Sequence, residues 1–226
     1  MADWLTVEEA PFAPKGATEV LGVAGQTRAR RPTVTVSLRG VRILNNRKLF
    51  GSARVRVLTV VVDGNRDDDG DAPFWRSELD FPGVGDGATL PIDPEFGYLV
   101  YRGRPWGFLS LFVLVAKDTE ATRQFAQTLK ENFLAKGIGA AAGAATIFAG
   151  APMAAEVARQ LAAGLVDTTL EVLAKKKNPL IATYYGSVTK EQKYGPGLHP
   201  SGYPSALIDC GATAQIAYEI ASSGSS

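Results

Sequence analysis

The sequence predicts an α+β protein, an antiparallel β-sandwich spanning residues 32–221 with an Ala-rich helical insertion at 118–178 between two of its strands. Three observations predict it. Apolar and polar residues alternate through much of the chain between Pro32 and Ala116, the period of a strand with one buried face. Near Asp118 the apolar spacing lengthens to every fourth residue, and after Pro179 the strand pattern returns. Strand text on both sides of the helical block makes that block an insertion into one body rather than a separate domain.

Residues 1–31 hold little periodicity and end in the basic cluster Arg28-Ala29-Arg30-Arg31, so they read as an arm with a solvated charge run. Val34, Val36 and Leu38 then alternate with Thr35, Ser37 and Arg39; Gly40 punctuates this strand, and Val41 to Leu44 forms a second short one. Asn45-Asn46-Arg47 reads as a turn. Ala53 to Asp63 opens with alternation and ends in the unbroken run Val60-Val61-Val62, a strand wet at its start and buried on both faces at its end. Phe74 to Phe81 and Gly97 to Tyr101 are further strands. Phe108 to Ala116, apolar almost throughout, belongs at the centre of a sheet. These strands follow one another too closely for helical crossovers, so antiparallel pairing is expected.

Asp118 is placed to cap a helix whose stripe is Ala121, Phe125, Leu129 and Phe133, with Gly137 to stop it. Residues 138–150 are mostly Ala and Gly. A further helix starts at Pro152 and aligns Met153, Val157, Leu161, Leu165 and Val172, closed by Lys175-Lys176-Lys177 and Asn178-Pro179. Leu180 to Tyr185 resumes the strand pattern, 187–205 is a Pro/Gly-rich surface loop, Ala206 to Ile220 supplies one or two strands, and 222–226 is a frayed tail.

Composition narrows the function. The chain has 226 residues, 46% of them hydrophobic and 21% charged, an ordinary globular balance. With 24 Lys and Arg against 23 Asp and Glu it lacks the basic excess that drives nucleic-acid binding by counterion release. Residues 1–9 show no basic segment followed by an apolar one, so no secretory signal is expected and the cytoplasm is the expected location. Cys210 is the lone cysteine. It excludes an internal disulfide, and reads as a small buried hydrophobe beside the last strand.

The sharpest local signal is the loop from Asp63 to Asp71. Calcium takes six to eight oxygen ligands at about 2.3–2.6 Å, and alternate acidic side chains around a Gly supply them. Asp63, Asn65, Asp67, Asp69 and Asp71 are the candidate ligands, with Gly70 at the turn. The twelfth position from Asn65 is Arg76 where an EF-hand needs Glu, and a strand precedes the loop, so this is no EF-hand. The alternative reading is a solvated hairpin tip whose charges oppose edge-to-edge strand pairing. Strands joined by an Asp-rich loop, from Val34 to Ala116, resemble a C2-type calcium-binding sandwich. The resemblance implies a cation held between loops at one end of the sandwich, and calcium-dependent attachment to phospholipid or protein. The insertion at 118–178 departs from that family's pattern.

From Gly137 to Ala155 the chain carries no charge, and small residues four apart let helices approach closely. Ala and Gly gain little by leaving water and Pro152 interrupts the run, which favours a helical hairpin packed on the sheet; a membrane-active or pore-forming device deploying 137–174 is the alternative. Signs of catalysis are few. His199 is the lone histidine, in a Pro/Gly-rich loop, and no nucleophile elbow, phosphate-binding loop or zinc-type His pair is present. A hydrolase built around His199 would need partners that meet it in space. Trp75, Trp106, Tyr184, Tyr185, Tyr194 and Tyr203 read as core or rim aromatics, any of which can anchor a partner. The expected function is therefore a non-enzymatic adaptor, responsive to calcium, that binds a protein partner, a second copy of itself or a membrane surface.

Overall fold

Alternation of buried and exposed positions is what turns this chain into two sheets. The computed structural model describes residues 31–63, 65, 74–120, 122–124 and 180–223. Among them run nine strands: β1 (Thr33–Ile43), β2 (Ala53–Val62), β3 (Phe74–Val84), β4 (Tyr98–Gly103), β5 (Phe108–Lys117), β6 (Leu180–Thr189), β7 (Gly197–His199), β8 (Ile208–Cys210) and β9 (Ala214–Ser223). Sheet A has the order β4-β1-β9-β7, with β8 also on β9; sheet B has the order β3-β2-β5-β6. Every pairing is antiparallel.

The strands on either side of the 118–178 block share both sheets, because β9 pairs with β1 from Thr33↔Ser223 to Ile43↔Ala214 and β6 pairs with β5. Inward residues of the two sheets form one core, with Val34, Val36, Ile216 and Ile220 from sheet A and Val57, Val61, Val113 and Val115 from sheet B. The two sheets thus make one body. The segment expected to form the helical insertion, including Phe125, Leu129, the small-residue run and the Pro152 segment, lies outside the described residues, as does nearly all of the 1–31 arm.

Several sequence expectations are corrected. Gly40 does not divide two strands: β1 is continuous, and a register shift between Leu38 and Gly40 flips the inward phase from Val34, Val36 and Leu38 to Val41 and Ile43. Such a bulge breaks the period and so looks like an end in the sequence. Thr119, rather than Asp118, caps the opening helical turn, its Oγ1 accepting the Thr122 amide at 3.3 Å. Asp118 is occupied instead by arginines. Residues 187–205 are not all loop, since β6 extends to Thr189 and β7 pairs with β9. At the C-terminus Ser222 and Ser223 belong to the β1–β9 ladder.

Candidate functional site at the Asp63 end

β2 ends at Val62 and delivers Asp63 into the space between the two sheets, where the residue is 1% exposed. A carboxylate taken from water needs hydrogen bonds in return. Oδ2 accepts the Tyr101 hydroxyl at 2.7 Å and the Asn65 side-chain amide at 2.7 Å, and Oδ1 accepts the Asn65 backbone amide at 3.1 Å. The Asp63 carbonyl takes the Trp106 amide at 2.7 Å. Asn65 also donates to the Arg104 carbonyl at 3.0 Å, and its own oxygen accepts Arg31 Nη1 at 2.7 Å. Arg31 lies over the Trp106 ring, 5.0 Å from its centre. Trp75 meets Tyr101 edge-on at 5.7 Å.

Tyr101 owes its reach to a glycine two residues further along β4: a Cβ at Gly103 would collide with the Tyr101 hydroxyl, so the bare backbone there lets the ring lie along the strand toward Asp63. Burial, and then the neighbouring Asp63, push the Tyr101 phenol well above its ordinary range, which keeps it a proton donor.

Of the five candidate metal ligands, Asp63 and Asn65 are brought together, and they bind each other. Asp67, Asp69 and Asp71 lie outside the described residues. Among the described residues no group of three or more His, Cys, Asp or Glu side chains is placed to hold a metal ion. Nor does any helix among them have the length and apolarity to cross a membrane; residues 137–174 lie outside them.

His199 is built into the fold. Its ring stacks on Tyr218 at 4.7 Å with 10° between planes, and Nε2 donates to the Gly195 carbonyl at 2.8 Å. Tyr203 pins the same loop by donating to the Arg39 carbonyl at 2.8 Å. Cys210 is buried, and desolvation with Asp209 nearby raises its thiol to about 12, the wrong direction for a nucleophile. Tyr194 is buried and donates to the Pro105 carbonyl at 3.1 Å.

Sequence reasoning passed over a feature at the opposite end of the sheets. Leu49 and Phe50, in the turn between β1 and β2, are 93% and 92% exposed. Their loop is braced. Asn46 is fully buried, donates from Nδ2 to the Gly51 and Val84 carbonyls at 3.0 Å each, accepts the Lys48 amide at 2.9 Å, and donates its own amide to Asp86 at 2.7 Å. Lys117 Nζ donates to the Arg47 carbonyl at 2.6 Å, and burial lowers the pKa of this lysine. The available signal was an apolar pair inside a turn bounded by Asn46 and Gly51.

Comparison with protein-family models, with curated proteins and with solved structures gave no match.

Proposed function

We propose that this protein is a cytoplasmic, non-enzymatic interaction module: a β-sandwich with a helical insertion at 118–178 that binds a protein partner through the Leu49–Phe50 tip and acts as an adaptor in a larger assembly. One observation carries the reading, namely two large apolar side chains almost wholly exposed on a loop fixed by the buried Asn46. Each such side chain gains about 1.5–3 kcal/mol when a partner removes it from water. Because the loop is already braced, little ordering entropy opposes that gain. Arg47 and Lys48 beside the tip favour an acidic rim on the partner.

The test compares wild type with Leu49→Ser plus Phe50→Ser, which should leave Tm within about 1–2 °C because neither residue is buried. Affinity capture should recover a defined partner with wild type and lose it with the double variant. Liposomes of anionic lipid, with and without calcium, should leave the protein in the supernatant. Sedimentation of wild type with the vesicles replaces the protein partner by a membrane surface, and self-association lost in the double variant replaces it by a second copy.

Calcium enters the proposal through the 63–71 loop. With both Asp63 oxygens taken by Tyr101 and Asn65, coordination falls to Asp67, Asp69 and Asp71. Millimolar calcium should raise Tm, and Asp67→Asn with Asp69→Asn should remove the rise. An unchanged wild-type Tm would end the calcium part and leave the tip reading intact.

A further inference from the structure

The centre of sheet B, on β2 and β5, is buried on both faces, and sheet A accounts for one of them. The inner rows that meet sheet A include Val57, Val61, Val113 and Val115. The alternate residues, Leu58, Val60, Phe112, Leu114, Ala116 and Leu180, point away from sheet A, yet each is at most 6% exposed. The register sets them side by side, with Leu58↔Leu114, Val60↔Phe112 and Ala116↔Leu180. Each described strand belongs to one sheet or the other, so none is left to lie over this outer face.

We infer that the outer face of sheet B is the docking surface for the chain's own segment 125–179, whose apolar stripes lie across it. Three observations select that segment. It leaves from β5 and returns at β6, the neighbouring strands that carry most of the outer rows, a connection a short turn would otherwise make. Its departure is steered to this side, because Asp118 is held by Arg54 and Arg56 from the outward positions of β2, at 3.1 Å and 3.4 Å, while Arg123 of the opening helical turn grips the same carboxylate at 3.0 Å. Its sequence places Phe125, Leu129 and Phe133, then Val157, Leu161 and Leu165, at helical spacing.

The chemistry of the face fits amphipathic helices. Its centre on β2 and β5 is apolar. The β3 side carries the ionic row Arg56, Glu78 and Asp80, and the β6 side carries Tyr185 and Ser187, both within the hydrogen-bonding set of Ser110. Two strand spacings of about 4.8 Å make an apolar lane roughly as wide as one helix. The rival segments fit less well, since 1–30 enters the other sheet through β1, and 66–73 joins β2 to β3 at the far end, is half acidic and holds no large apolar side chain. This inference does not depend on the tip or calcium readings.

The test places the photoreactive residue p-benzoylphenylalanine at Tyr185 in one full-length variant and at Thr183 in a second, both on the outward row of β6 and both only partly buried. Variants with near-wild-type Tm are irradiated, and the cross-linked peptides are identified by mass spectrometry. The expected result is a monomeric product cross-linked to peptides within 125–179. Cross-links to 1–30 or 66–73, a covalent dimer, or cross-links confined to adjacent strands would each overturn it. Two positions keep the question answerable if one substitution prevents folding.

Discussion

The two ends of the sheets each bury a carboxylate, and the contrast between them shows how the same group is tamed in two ways. Asp63, 1% exposed, is satisfied by neutral donors: one phenol, one side-chain amide and one backbone amide. Asp118, whose side chain is also 1% exposed, is satisfied by three guanidinium groups. Neutral donors fix geometry and shift the burden to the donor, so burial first and the neighbouring Asp63 second hold the Tyr101 proton more tightly than usual. Cations act on the carboxylate itself. The hydrogen bond from Arg123 holds the Asp118 carboxyl below its ordinary range, opposed by burial and assisted by Arg56 and Arg54. The first arrangement is a dry lock joining β2 to β4, and the second is a partly wet clamp where the chain leaves β5.

Of the two, the dry lock is the costlier one to break. Asp63→Ala leaves the Tyr101 hydroxyl and the Asn65 amide without their acceptor, and should destabilise the fold by about 3 kcal/mol, a fall in Tm of roughly 6–12 °C. Tyr101→Phe keeps the Asn65 donors and should cost about 1.5–2 kcal/mol at neutral pH. The pH dependence sharpens the point. Because the folded-state phenol pKa is raised, the unfolded chain loses that proton first, so this contribution is complete below about pH 10 and is lost as pH rises further. Denaturant melts of wild type and Tyr101→Phe should therefore converge above about pH 10. A gap that stays constant there would mean that the hydroxyl is not held as described.

Asp118→Asn should come second, at about 2 kcal/mol, since two of the three guanidinium groups can turn to solvent once the charge is gone. Here the sign reverses. The folded carboxyl pKa is lowered, so its stabilisation is present above the unfolded value near pH 4 and is lost as pH falls toward the folded one. Wild type and Asp118→Asn should differ at pH 7 and converge below about pH 3. Convergence on the alkaline side instead would exchange the roles assigned to the two ends.

Much of the two-sheet body was legible from periodicity, because alternation reports burial on one face and unbroken apolar runs report burial on two. Val60 to Val62 and Phe108 to Ala116 are the clearest cases, and both strands do bury both faces. Gly40 misled because a bulge shifts phase without ending a strand, and β7 escaped notice because three residues hold no period. The candidate site was less legible. The acidic loop was conspicuous in sequence, but what Asp63 does there depends on Tyr101 and Asn65. Tyr101 stands far along the chain, and its reach needs Gly103 beside it. The Leu49–Phe50 tip was hidden for the opposite reason: two apolar residues in a turn look like core until the buried Asn46 shows that the turn points outward.

The smallest expected effect discriminates within the Asp118 clamp. Arg54 and Arg56 both reach Asp118, but the Arg54 side chain is 58% exposed, whereas that of Arg56 is 12% exposed and also binds Glu78 at 2.9 Å and Asp80 at 2.8 Å. An exposed guanidinium is screened by water and salt and loses side-chain freedom when it pairs, so Arg54→Ala should cost about 0.5 kcal/mol. A double-mutant cycle of Arg54→Ala with Asp118→Asn should return a coupling of similar size, roughly halved by about 0.5 M salt, where the Debye length shrinks to about 4 Å. A coupling above about 2 kcal/mol that salt leaves unchanged would show that Arg54 is desolvated in solution. The clamp would then be as dry as the Asp63 lock, and the distinction between the two ends would rest on charge alone.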